Sequence, residues 1–146
     1  MNKNATKSRT SLFLMELIIA ILFFSLASAV CMQLFAKAHL TSMKTKELNH
    51  AVLIAQSYAE VMRGTDGSIE SITAQFPDAI VDDNYFEVFY DSDFNVCAPD
   101  DASYVSDVTI SPNGAIQNMT ITFVKLDDYS EIYSLTATKY MNTPKG

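Results

Sequence analysis

A long N-terminal helix packed on a small antiparallel β-sheet, an α+β arrangement, is the expectation for this 146-residue chain. Three features point to it. Residues 12–36 are almost wholly apolar and hold one charge, Glu16. Residues 37–63 continue without proline or glycine and repeat apolar residues at steps of three and four. Beyond Gly64 the pattern changes to short aromatic and β-branched segments separated by turn residues.

Residues 1–11 form a polar leader with Lys3, Lys7 and Arg9 and no acid. The segment 12–36 follows. Its stretch 17–36 holds no charge, no proline and no glycine. As a helix that stretch spans about 30 Å, the thickness of a bilayer's hydrocarbon core. Cations on its N-terminal side predict a cytoplasmic N-terminus and a head on the other side of the membrane. In 37–63 the residues Leu40, Met43, Leu48, Ala51, Ala55 and Met62, together with Val52, Tyr58 and Ala59, mark one helical stripe, and Lys44, Lys46, Glu47, Gln56 and Glu60 occupy the other faces. The two segments join into one helix of about fifty residues, roughly 75 Å long. Gly64 stands where a left-handed cap is expected.

The head covers 64–146. A short helix is expected over 68–75, ended by Phe76-Pro77. Strands are expected over 85–90 and 104–111, with a shorter one over 94–97. Pro112-Asn113-Gly114 marks a hairpin turn. The answering strand, 115–125, places Ile116, Met119, Ile121 and Phe123 on one set of positions. After a turn over 126–130, a last strand spans 131–140. The expectation is a meander of about four strands, one face covered by the amphipathic half of the helix.

The formal net charge is −7, and without the three leader cations it falls to −10. Such a chain lacks the basic footprint of a nucleic-acid partner. Cys31 lies in the apolar run and Cys97 in the head, with neither metal nor redox spacing. Cys31 is expected to be a small buried apolar residue and Cys97 a core or free thiol. His39 and His50 are eleven residues apart on the helix, too far for a shared metal. Asp91-Ser92-Asp93-Phe94-Asn95 alternates oxygen ligands like the start of a calcium loop, but lacks the glycine and late glutamate of that motif. No serine or cysteine has a recognisable base partner. The sequence therefore names no catalytic residue, no cofactor and no metal.

Glu16 is the feature that needs an explanation. A carboxylate within a membrane-length segment costs roughly 2.5–3.5 kcal/mol on insertion scales. Three readings of the N-terminus are open. The first is a secretory signal peptide, cut after Ala27-Ser28-Ala29. The second is a plain single-pass anchor for an extracellular β domain. The third uses Ser11, Leu12 and Glu16 together: a basic leader ends in a small residue, an apolar stretch begins, and an acid stands at its fifth position.

The segment Ser11-Leu12-Phe13-Leu14-Met15-Glu16-Leu17-Ile18-Ile19-Ala20-Ile21-Leu22 resembles the N-terminus of type IV pilins and pseudopilins. The layout of a long helix followed by a small antiparallel sheet is similar to theirs as well. Ser11 stands where that family usually has glycine, and Leu12 where it usually has phenylalanine or methionine. The helix-bending proline and the C-terminal disulfide loop of major pilins are missing, as in minor pilins and pseudopilins. The resemblance implies cleavage between Ser11 and Leu12 by a prepilin peptidase and methylation of the new amine. It implies pairing of Glu16 with the Leu12 amine of a neighbouring subunit. The partners it implies are other pilin or pseudopilin subunits, the peptidase, a membrane assembly platform and membrane lipid. The location it implies is the cytoplasmic membrane, then a cell-surface filament.

Overall fold

The computed structural model describes residues 3–141, with side chains from residue 9 onward. Residues 1–2 of the expected leader and 142–146 of the expected head lie outside the described residues. The protein is α+β. Its first element, α1, runs Lys3–Gly64 and so begins inside the leader rather than at Leu12. Nothing between those residues breaks a helix, because neither proline nor glycine occurs before Gly64. The chain forms two compact units, Met1–Lys44 and Thr45–Gly146.

The first unit is helix alone, and every described side chain in it is exposed. Cys31, expected to be buried, is exposed here with the rest, because no other part of the unit covers it. The second unit holds the end of α1, a short helix α2 at Ile69–Thr73, and five strands. These are β1 (Ile80–Asp82), β2 (Tyr85–Tyr90), β3 (Tyr104–Asn113), β4 (Ile116–Lys125) and β5 (Ser130–Tyr140). They form one antiparallel meander in chain order.

Strand β1 is a strand the pattern did not reveal, since three residues are too few to show an alternation. The strand expected over 94–97 reduces to a single bridge between Tyr90 and Val96. The β3–β4 turn lies one residue later than expected. Asn113 pairs with Ile116, so Gly114 and Ala115 make the two-residue loop, with Gly114 at φ +64°. On β4 the inward set is Gln117, Met119, Ile121 and Phe123; Ile116 has the opposite parity, and Gln117 takes the place expected for it.

The core lies between the sheet and residues 51–62 of α1. Ala51, Ala55 and Ala59, spaced four apart, let the helix approach closely, and Tyr58 and Met62 fill the space beside them. Opposite stand Phe86 and Val88 of β2, Val108 and Ile110 of β3, and Met119 and Phe123 of β4. Burying each large apolar side chain contributes about 1.5–3 kcal/mol. The expected stripe is buried only from Ala51 onward. Leu40, Met43 and Leu48 remain exposed.

Three polar ties fasten α1 to the sheet. Where the sheet-packed part of α1 begins, Glu47 accepts hydrogen bonds from Tyr104 Oη and Lys125 Nζ, both 3.0 Å. In the middle, the Tyr58 hydroxyl lies 2.7 Å from that of Tyr90 and 2.8 Å from Ser106 Oγ. At the lower end Lys139 Nζ, from β5, donates to the carbonyls of Met62 (2.9 Å), Arg63 (3.2 Å) and Thr65. A cation on the last carbonyls of a helix satisfies orphan acceptors and suits the helix dipole.

That cap replaces the one expected at Gly64, which is the last helical residue and has no left-handed backbone. The left-handed glycine is Gly67, at φ +87° in the turn that leads into α2. A Cβ at Gly67 would meet Gln117 Oε1 at 3.0 Å and Met141 Sδ at 3.4 Å, whereas a Cβ at Gly114 would meet nothing within 4 Å. Gly114→Ala is therefore expected to cost about 1–2 kcal/mol from backbone strain alone. Gly67→Ala is expected to cost roughly 1 kcal/mol more, through the added contacts. Denaturant midpoints with unchanged m-values measure both, and equal losses would count against the steric account.

Candidate functional site

The candidate residues Ser11, Leu12 and Glu16 lie together on the first unit's helix. The Ser11–Leu12 bond is thus helical and not extended. Both residues are exposed, Leu12 by 64%. Glu16 is one helical turn from Leu12, so the two share a face. Its carboxylate is exposed and takes part in no salt bridge among the described residues. The helix is long and apolar enough to cross a membrane.

The polar side chains within that stretch are handled locally. Ser25 Oγ donates to the carbonyl of Ile21 at 2.8 Å, and Ser28 Oγ to that of Phe24 at 2.9 Å. Each hydroxyl is satisfied within its own helix and costs little in lipid. Together with Ala20, Ala27, Ala29 and Ala36, these serines form small positions that permit close helix packing. Glu16 is thus the one charge in 12–36 for which this helix offers no local solution.

The other candidates separate. His39 is exposed, while His50 stacks on Phe94 with ring centroids 4.1 Å apart and planes within 4°. Phe94 also stacks on Tyr104 at 4.7 Å, and Lys46 Nζ stands 5.9 Å from its centroid. This cluster was not legible in the residue pattern, because Phe94 is held by a loop. Its backbone is left-handed (φ +64°), and the flanking N–H groups of Asp93 and Asn95 donate to Asp91 Oδ1 at 2.8 and 2.9 Å. Those bonds hold the Asp91 carboxyl below its ordinary range. The calcium-like alternation is therefore a self-satisfied turn. No group of three or more His, Cys, Asp or Glu residues suited to a metal occurs among the described residues. Cys31 and Cys97 are both free.

Two electrostatic features stand out. Burial pushes the Tyr58 phenol well above its ordinary value, with Tyr90 beside it adding to the rise, so the buried triad stays neutral. On the outer face of the sheet, Glu87 and Asp107 stand directly opposite across β2 and β3. The Tyr85 hydroxyl donates to Glu87 and lies 3.1 Å from Asp107 Oδ1. One hydroxyl proton faces two carboxylates. Burial, and to a lesser degree the charge of Glu87, raises the Asp107 carboxyl above its ordinary range, despite the contact with Tyr85.

The chain matches no protein-family model, no curated protein and no solved structure.

A carboxyl raised in the fold favours the folded state while it is protonated, and the advantage is lost as pH rises through its folded value. Asp107→Asn is therefore expected to stabilise the head at about pH 7, by up to about 1 kcal/mol, the scale of a cross-strand pair. At about pH 3 the wild-type carboxyl is largely neutral and the gain should vanish. Thermal unfolding at the two pH values measures the difference, and equal gains would show that charge is not the cause.

Proposed function

We propose that this chain is a minor pilin or pseudopilin, a subunit that waits in the membrane and then enters a helical filament through its N-terminal helix. The filament is a type IV pilus, a type II secretion pseudopilus or a DNA-uptake filament. The observation that carries this reading is Glu16: an acid with no ion pair among the described residues, one turn after the Ser11–Leu12 junction, on a helix otherwise fit for lipid. The α+β architecture supports it.

In this reading a prepilin peptidase cuts between Ser11 and Leu12. Cutting removes Lys3, Lys7 and Arg9, each costly to draw into lipid. It also creates an amine on Leu12. Within a bundle of such helices, Glu16 of one subunit meets the Leu12 amine of another. An isolated charge in an apolar medium is heavily penalised, and pairing recovers much of that penalty. Only the axial offset that joins the two charges is tolerated, so the pair sets the register. The small residues supply the close packing.

N-terminal sequencing of the mature protein tests the cut. Leu12, methylated, is expected; Val30 would indicate secretion, and an intact Met1 a plain anchor. Glu16→Ala and Glu16→Gln are expected to insert into the membrane normally and to be absent from filaments, as read by cell fractionation and immunoblotting of sheared filaments. Normal incorporation of both would reject the register role.

A further inference from the structure

The sheet ends at β1 in an apolar edge that the head leaves uncovered. β1 is three residues long and wholly exposed. Ile80 is 51% exposed, and Val81 and Val96 are each 47% exposed. Two hollows meet there, sharing Asp78 and Val96 in their walls. The smaller, about 170 Å³, is bounded by Phe76, Pro77, Ala79 and Val88. The larger, about 360 Å³, is bounded by Ile80, Phe89, Cys97 and Pro99. An enclosed space of about 150 Å³ accommodates a benzene-sized group, so the smaller hollow has room for one aliphatic side chain. The surroundings are acidic: Asp78, Asp82, Asp83, Asp100 and Asp101 are all exposed. An edge of this sign repels nucleic acid and anionic lipid. It suits an apolar anchor flanked by cations.

The first unit offers that surface. No acid occurs between Glu16 and Glu47, while Lys37 and Lys44 lie in that interval. Leu40 is 60% exposed and Met43 49%. Lys37, Leu40 and Lys44 follow the i, i+3, i+7 spacing of one helical face, and Met43 adjoins it. The two lysines are about 10 Å apart along the axis, one on each side of Leu40.

We propose that the β1 edge of one copy receives residues 37–44 of a second copy. Leu40 enters the smaller hollow, and Lys37 and Lys44 face the aspartate rim. The two surfaces differ, so the contact is head-to-tail. Each copy offers its edge to one neighbour and its helix face to another, so the contact can propagate beyond a pair. This contact rests on the assembly reading above and adds to it a second point of register, set by the head.

The test uses the full-length chain in the cells that make it, with Cys31→Ser and Cys97→Ser as background. Leu40→Cys combined with Val96→Cys, treated with an oxidant, is expected to give a ladder of disulfide-linked multimers, each rung identified by mass as copies of this chain. Ile80→Cys in place of Val96→Cys is the second version, should the first lower protein levels. Each single-cysteine variant should stop at a dimer. Lys37→Glu with Lys44→Glu should cut the ladder roughly tenfold or more, and Asp78→Lys with Asp82→Lys should restore it.

Filaments that depend on Glu16 but give no ladder would overturn this contact and leave the assembly reading standing. A ladder of chains still beginning at Met1 would uphold the contact and overturn the processing. A Val96→Cys link to a different polypeptide would overturn self-docking. Neither ladder nor filament would overturn both.

Discussion

An uninterrupted helix obliges one element to meet two environments, and the remainder of the molecule follows from that. With no proline or glycine before Gly64, nothing in the chain interrupts α1. Its surface changes instead. Over residues 12–36 its exposed side chains are almost all apolar, a composition that finds no favourable surroundings in water. In the second unit, small alanines at every fourth position clear one face for a sheet. The sheet, in turn, needs that helix: α1 covers most of its apolar face, with Ile72 of α2 and Phe76 packed beside it.

The head is small, so its polar ties matter in proportion. Glu47, Tyr58 and the carbonyls at the helix end are each met by groups from the sheet. The ties lie at successive heights and come from different strands: Lys125 from β4, Tyr90 and Ser106 from β2 and β3, Lys139 from β5. Hydrophobic burial sets how strongly helix and sheet associate, and it is not directional. Hydrogen bonds at fixed heights remove sliding and rotation, which apolar packing alone permits.

Much of this was legible in the residues. The periodicity of 51–62 located the covered face of α1, and the alternations in β2, β3, β4 and β5 located the sheet. What was not legible depended on distant partners. The helix end could not be read from Gly64, because its cap is a lysine 77 residues away from Met62. Nor could the burial of Phe94 be read from a loop whose shape is set by Asp91. Leu40, Met43 and Leu48 obey the same period as the buried stripe, yet stay exposed. Periodicity reports which way a residue faces, and nothing of whether a partner stands there. At the N-terminus the spacing of Ser11, Leu12 and Glu16 was visible at once, because the three lie within six residues of one another in the chain.

Lys139 has a consequence beyond the helix it caps. It sits on β5, the outermost strand on the side away from β1, where a row of backbone groups lacks a neighbouring strand. An ammonium directed to the inner side of such a border resists the arrival of foreign chain, since a newcomer would have to bury it. The same residue that seals the helix therefore discourages heads from fusing into a continuous sheet.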